Sequence, residues 1–339
     1  MSIDRYRMKK ERSRKRRKRI LFFILVPLLI IAFSAASYGA VLYKKAETVL
    51  NGSFEKIDGR EKSDLREEKV DPNIDNVSIL FIGVDESEKR NFGSNTRSDA
   101  LMLATLNNDT KTVKLVSIPR DSYTYIPEVG YNTKINHAHA FGGPKATIET
   151  VEELFNLPVD YYVKMNFNAF IDVVDALDGI EVDVPYEMEE QNSEDEQGAI
   201  HLEEGLQSLD GEEALAFART RKADSDIERG KRQQEIMKAI MEKAVSTKGV
   251  SKYDEVMEAI GDNMTTDIPF SEMKSFIRYG TSGKINVESL SLQGEDSYID
   301  GVYYYQLDEP ALNEVTDKLK NHLQLSKNES DTDVADSTE

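Results

Sequence analysis

Val77-Ser-Ile-Leu-Phe-Ile-Gly83 is a seven-residue run with one small polar side chain, several β-branched residues and a closing glycine. A strand with one wet face alternates apolar and polar residues, whereas a near-continuous apolar run suits a strand covered on both faces. The stretch therefore predicts a buried strand. Working outward, 100–106 and 112–118 read as two further strands joined by the turn Asn107-Asn-Asp-Thr110. Helical spacing recurs over 145–157 and over 168–177, the latter closed by Asp178-Gly179. Strands are expected at 161–166, 180–184, 284–292 and 301–306. Helices are expected at 212–218, 228–244, 252–261, 270–279 and 309–324. Alternation of this kind predicts an α/β fold, a central mixed β-sheet covered by helices on both sides.

The ends differ from this body. Residues 1–19 hold 11 Lys/Arg against 2 acids, a charge of +9. The whole chain carries −19, so the remaining 320 residues carry −28. Nucleic-acid binding by that body is excluded as a working reading, because phosphate backbones need a basic footprint. Residues 20–43 contain no charge and would reach about 36 Å as a helix, against about 30 Å of hydrocarbon. With the basic cluster on their N-terminal side they predict a single-pass type II transmembrane helix, N-terminus in the cytoplasm and the rest outside. The competing reading is a cleaved signal peptide, supported by Ser34-Ala-Ala-Ser37; the length of the apolar run and its basic lead oppose it. Residues 44–75 read as a stalk, 76–325 as one extracytoplasmic domain, and 326–339 as a disordered acidic tail. Cys 0 excludes disulfides and thiol chemistry.

From residue 70 onward there are 17 Lys and 8 Arg, and four of those Arg fall within 14 residues: Arg219, Arg221, Arg229 and Arg232. Guanidinium forks bind phosphate bidentately, which Lys does not copy. If 218–221 is extended, Arg219 and Arg221 point to one face; Arg229 and Arg232 share a helix face. Gln233 and Gln234 follow as amide donors. The competing reading is a salt-bridged surface, with Asp224, Asp226 and Glu228 nearby. Arg97 and Asp99 precede one strand, Arg120 and Asp121 follow another, and Asp85 lies just past the first. Ligands of open α/β sheets gather at such strand ends. Asp85 and Asp99 together suit Mg²⁺ with phosphate oxygens and water. The combination points to a polyanionic headgroup, a pyrophosphate. Phe167, Phe170, Val173, Val174, Leu177, Ile236 and Ile240 read as helix-packing residues before lipid-lining ones. His137 and His139 read as structural, and Tyr123, Tyr125, Tyr161 and Tyr162 as strand residues rather than sugar-stacking platforms.

The segments Leu80-Phe-Ile-Gly-Val-Asp85, Arg97-Ser-Asp99, Ser117-Ile-Pro-Arg-Asp121, Lys134-Ile-Asn-His-Ala-His-Ala-Phe-Gly-Gly143, Leu209-Asp-Gly211, Ala218-Arg-Thr-Arg221 and Asp224 through Gln234 resemble, in that order, the LytR-CpsA-Psr family of Gram-positive cell-envelope proteins. The resemblance implies a membrane-anchored extracytoplasmic phosphotransferase. It would move an anionic glycopolymer, such as teichoic acid or capsule, from an undecaprenyl-pyrophosphate carrier to peptidoglycan. It implies Mg²⁺, or Mn²⁺ in its place, on Asp85 and Asp99. It implies pyrophosphate contacts from Arg97, Arg120, Arg219, Arg221, Arg229 and Gln233, with Arg97, Asp99, Arg120, Arg219 and Arg221 catalytic. The proton acceptor is open between Asp99 and Asp121. Two departures stand out: a longer loop over 86–96, and Glu228 where glycine is usual. A pyrophosphatase using water as acceptor is an alternative, as is a polyprenyl-phosphate-binding sensor or attenuator without turnover. A structural wall-binding protein is a third.

Overall fold

The computed structural model describes residues 51–85, 96–220, 226–246 and 263–325, with single positions at Lys44, Glu47, Thr48, Glu255, Val256, Ala259 and Gly261. The chain divides into two compact units, 1–48 and 49–339. Of the first, only the helical positions Lys44, Glu47 and Thr48 are described. The predicted span over 20–43, the basic tail, the helix over 252–261 in large part, and the acidic tail lie outside the described residues. Among the described residues no helix is long and apolar enough to cross a membrane.

In chain order the elements are β1 (Val77–Val84), β2 (Ser98–Asn107), β3 (Thr112–Ser117), β4 (Tyr123–Ile126), β5 (Tyr131–Lys134), α1 (His137–Phe155), β6 (Tyr161–Asn166), α2 (Phe167–Ala176), β7 (Ile180–Val184), β8 (Met188–Glu190), β9 (Ile200–Leu202), β10 (Gly205–Leu209), α3 (Gly211–Arg219), α4 (Asp226–Ala244), β11 (Met264–Thr266), α5 (Phe270–Thr281), β12 (Asn286–Ser291), β13 (Gly294–Ile299), β14 (Val302–Leu307) and α6 (Glu309–Leu323). The main sheet runs β11-β6-β1-β2-β3-β12. It is mixed: β1 pairs parallel with β6 and antiparallel with β2, while β3 pairs antiparallel with β2 and parallel with β12.

The opening run occupies a central position, with β6 on one side and β2 on the other, which is why it carries almost no polar residue. Its side chains divide between two cores. Leu80, Ile82 and Val84 pack with Ile148, Val151 and Phe155 of α1 and Val315, Leu319 and Leu323 of α6. Val77, Ile79 and Phe81 pack on the other face with Met237 and Met241 of α4 and Met273, Phe276 and Tyr279 of α5. Helices thus cover both faces, as expected. A third core joins α2, β7, β10 and α3 to Ile236 of α4.

The segment 44–75, expected as a stalk, is fastened to this body from residue 51 on. Arg60 forms a two-pronged pair with Glu152 at 2.9 and 3.1 Å. Arg66 forms another with Asp160 at 2.7 and 2.9 Å. Phe54 bridges Thr266 of β11. Two-pronged guanidinium pairs fix geometry as well as charge, so this length of chain is part of the fold. The helix expected at 145–157 is the second piece of α1, which begins at His137 and breaks at Gly142 and Gly143. Gly143 has φ of 62°, a conformation open to glycine, and Pro144 then restarts the helix.

Candidate functional site

Three local devices bring charged side chains to one place. The first is a bulge. Gly83 pairs with Ala100 and the next residue, Val84, pairs with Ser98, so Asp99 is the residue left over. A bulge re-aims the extra side chain and is favoured beside active sites; here Asp99 turns into a cavity. The second is the turn after β3, which carries Arg120. Its Nη1 donates to Asp99 Oδ1 at 2.5 Å. Its Nε lies 3.6 Å from Asp121, which is also paired with Lys134 at 2.8 Å. The third is the meeting of α3 with α4. Asp210 and Glu213 form a capping box at the start of α3, and Arg219 is its last helical residue. Thr220 then turns extended at ψ 142°.

Helix α4 lies close to β3 because of Gly230: a Cβ there would sit 2.9 Å from Ser117 Oγ and 3.1 Å from Ser117 Cβ. That approach carries Arg229 and Gln233 toward the ends of β1 and β3. Arg229, Gln233, Ile236 and Met237 follow the i, i+4, i+7, i+8 pattern of one helical face, and all four line the same cavity.

The cavity measures about 340 Å³. Asp85, Asp99, Arg120, Arg219, Arg229 and Gln233 supply polar lining, and Phe81, Met102, Met165, Phe167, Phe170, Leu215, Ile236 and Met237 supply apolar lining. The Arg219 guanidinium stacks 4.7 Å from the Phe167 ring centroid, which holds the plane while leaving its edge donors available. Arg229 is buried. Charged headgroup chemistry and a greasy wall thus share one space.

The placement of the expected residues is uneven. Asp85, Asp99, Arg120, Arg219, Arg229 and Gln233 converge. Arg97 is exposed and is not among the lining residues; its charge, after burial, helps hold the His137 pKa below its ordinary value. Arg221, Asp224 and the loop 86–95 lie outside the described residues. Arg232 is buried elsewhere: its Nε donates to the Phe217 carbonyl at 3.1 Å and its Nη2 to the Thr220 carbonyl at 2.7 Å, clamping the end of α3 to α4. Gln234 likewise serves the fold, donating to the Leu290 carbonyl at 2.8 Å. Glu228 pairs with Lys231 at 2.6 Å. His139 meets the Thr96 carbonyl through Nδ1 at 2.5 Å, a structural contact. Phe167, Phe170 and Ile236 line the cavity, while Val174 and Leu177 are buried in the packing between elements. Tyr161 and Tyr162 are buried strand residues of β6.

Glu190 and Gln191 line the cavity as well, and the Thr220 hydroxyl donates to Glu190. Sequence reasoning missed both, since they sit in a long acidic stretch that gives no local signal. Among the described residues, three lining guanidinium groups stand beside the three lining carboxylates of Asp85, Asp99 and Glu190. The charges of these lining side chains are therefore near balance, and a diphosphate among them calls for further positive charge. Among the described residues no group of three His, Cys, Asp or Glu could hold a metal alone. Asp85 and Asp99 both line the cavity, and carboxylates are the donor class that a hard cation takes together with phosphate oxygens and water.

A model of the LytR_cpsA_psr family matches residues 41–321. The polyisoprenyl-teichoic acid–peptidoglycan teichoic acid transferase TagT of Bacillus subtilis (strain 168) is 40% identical, over 94% of this chain and 98% of its own. A solved structure described as TagT bound to LIIa-WTA superposes with a TM-score of 0.70 at 40% identity, covering 80% of this chain and 99% of that one. Another, TagT with bound octaprenyl pyrophosphate lipid, superposes at 0.65 with 37% identity, covering 80% of this chain and 99% of that one.

Proposed function

The chain belongs to the LytR-CpsA-Psr family and is a transferase, and from that premise we propose that it transfers an anionic glycopolymer of the teichoic acid type from an undecaprenyl-pyrophosphate carrier to peptidoglycan, outside the cell, anchored by residues 20–43. The observation that carries this reading is the shared cavity, where Arg120, Arg219 and Arg229 border the same space as Phe81, Phe170 and Met237. A lipid-linked diphosphate has those two chemistries joined in one molecule. The relatives, one named as a teichoic acid transferase and one solved with octaprenyl pyrophosphate lipid bound, support the same substrate class.

In the reaction a hydroxyl oxygen of peptidoglycan forms a new bond to the phosphorus that bears the polymer. The bond from that phosphorus to the bridging oxygen breaks, and the carrier leaves as polyprenyl phosphate. The acceptor's proton goes to a base or to the leaving phosphate. Such transfers depend on positioning and charge stabilisation more than on covalent help. Arg219 and Arg229 hold phosphoryl oxygens by charge-assisted hydrogen bonds. Arg120, its Nη1 already fixed by Asp99, presents its other edge toward the leaving phosphate. Asp121 is tied to Lys134 and Arg120 and lies off the cavity lining, so its part is to orient Arg120 rather than to accept the proton. Arg97 and Arg221 belong to the same proposed site, as contacts to the pyrophosphate. Mg²⁺ held by Asp85 and Asp99 would supply the positive charge that the balanced cavity lacks.

The test is incubation of the full-length protein with lipid-linked polymer, with and without peptidoglycan oligomers. A covalent polymer–peptidoglycan adduct is expected. Release of free polymer phosphate, with no adduct when oligomers are present, would show a pyrophosphatase instead.

A further inference from the structure

Arg120 is oriented by Asp99 and Asp121. Arg219 is held in another way, by its stack on the Phe167 ring. A stack fixes the plane of a guanidinium but not where along the ring that plane stops. That position is set by the backbone at the end of α3, a helix of nine residues. So short a helix is marginal by itself, and its last carbonyls lack partners within it. What fastens α3 therefore decides where the Arg219 donors lie.

Both ends of α3 are tied to the short segment that begins at β8. At the start, the Ser193 amide donates to Glu212 Oε2 at 2.8 Å, and the Gly211 amide donates to Asp175 of α2 at 2.7 Å. At the far end, Thr220 is buried and held at three points. Its amide donates to the Ala216 carbonyl at 3.1 Å, its carbonyl accepts from Arg232 at 2.7 Å, and its hydroxyl donates to Glu190. Glu190 lies on the same face of β8 as Met188, which is buried in the third core, while Glu189 between them is exposed. Its carboxylate thus faces inward, on the cavity lining.

We infer that Glu190 is a positioning residue: through the Thr220 hydroxyl it fixes the end of α3 and so holds the Arg219 guanidinium where the diphosphate binds. The inference rests on the transfer reading above. A carboxylate on the lining of an anion site repels the ligand, so its own charge works against binding. Its contact with Thr220 works the other way, because a donor held in place beforehand loses less freedom when the phosphate arrives. The two effects have opposite signs, and substitutions that keep or remove the hydrogen bond separate them from the charge.

The test is calorimetric titration of the full-length protein, in detergent with Mg²⁺, with geranylgeranyl diphosphate. Thr220→Val and Glu190→Ala are each expected to bind about tenfold more weakly than wild type. Thr220→Ser, which keeps the hydroxyl, and Glu190→Gln, which keeps an acceptor oxygen, are expected to restore most of that loss. In an Arg219→Ala background Thr220→Val is expected to change affinity by less than about twofold, because it acts through Arg219. Melting temperatures check that every variant is folded. Wild-type affinity in Thr220→Val, the same fractional loss with Arg219 already removed, or tighter binding by Glu190→Ala would each overturn the assignment. So would a Glu190→Gln variant that binds normally but forms no polymer–peptidoglycan adduct, since Glu190 would then be the proton acceptor. Absence of diphosphate binding by the wild type would refute this inference and the reading of the cavity together. Binding that follows the Thr220 hydroxyl, with no adduct formed by the wild type, would uphold the inference and refute transfer alone.

Discussion

Asp99 shows how one residue of offset makes a site. In an unbroken ladder it would face a partner on β1; the register step between Gly83 and Val84 leaves it unpaired and turns it to the cavity. Arg120 then takes its orientation from two carboxylates, Asp99 and Asp121. His322 is a case where a residue serves the fold alone. Its two ring nitrogens meet the hydroxyls of Thr105 and Thr112, each at 2.7 Å, tying the end of α6 to β2 and β3. Burial pushes its pKa from 6.5 down to about 4, with Lys114 adding to the effect. Between those values the unfolded chain binds a proton that the folded chain refuses. Its contribution to stability is therefore whole above about pH 6.5 and is lost as pH falls toward about 4. Urea unfolding at pH 7 and pH 5 is expected to differ by about 2 kcal/mol from this group. His322→Gln should remove that part of the difference, and an unaltered pH dependence would contradict the account.

Among the elements, α4 does most to assemble the site. One face carries Arg229, Gln233 and Met237 to the cavity, while Arg232 and Gln234 bind carbonyls of α3 and β12. Gly230 permits the approach. Gly230→Ala is expected to push the helix off Ser117, lowering stability by about 1–3 kcal/mol in denaturant melts and weakening binding of a polyprenyl diphosphate. Tight binding with unchanged stability would show that the contact has room to give. The legibility of elements followed length and periodicity. β6 and β7 lie where expected, and α2, α4 and α6 match to within two residues, because each has a strong apolar repeat. β4, β5, β8, β9 and β11, three or four residues each, are too short to show one. β13, Gly-Glu-Asp-Ser-Tyr-Ile, is too polar to read as a strand. The two-sided cover of the sheet was legible from a single run, since a central strand must be apolar on both faces.

At the scale of the whole molecule, the body begins before β1. Asp160 is almost wholly buried and meets Arg66, with the Ser78 amide as a further donor. Removing one partner of a buried pair leaves the other charge uncompensated. Arg66→Ala is expected to cost about 3–5 kcal/mol in urea unfolding; a cost under about 1 kcal/mol, as for exposed pairs, would show that 51–75 is only loosely held. The site was legible because guanidinium groups cluster in sequence from 219 to 232, and because short Arg-and-Asp segments flank β2 and β3. Which of the clustered Arg face the ligand was not legible, because Arg229 and Arg232 have the same spacing signal and only packing against α3 separates them. The acidic exterior does not bar an anionic headgroup, because exposed charge is screened within about 10 Å, whereas Arg219 and Arg229 of the cavity lining act at contact. The most direct test of that cavity's role is transfer of labelled polymer from its lipid diphosphate to peptidoglycan oligomers by purified Arg219→Ala and Arg229→Ala. The expected result is a fall of about 10²–10³ in adduct formation for each, as for loss of one charge-stabilising donor, with the fold intact. Adduct formation at the wild-type rate by both variants would contradict it.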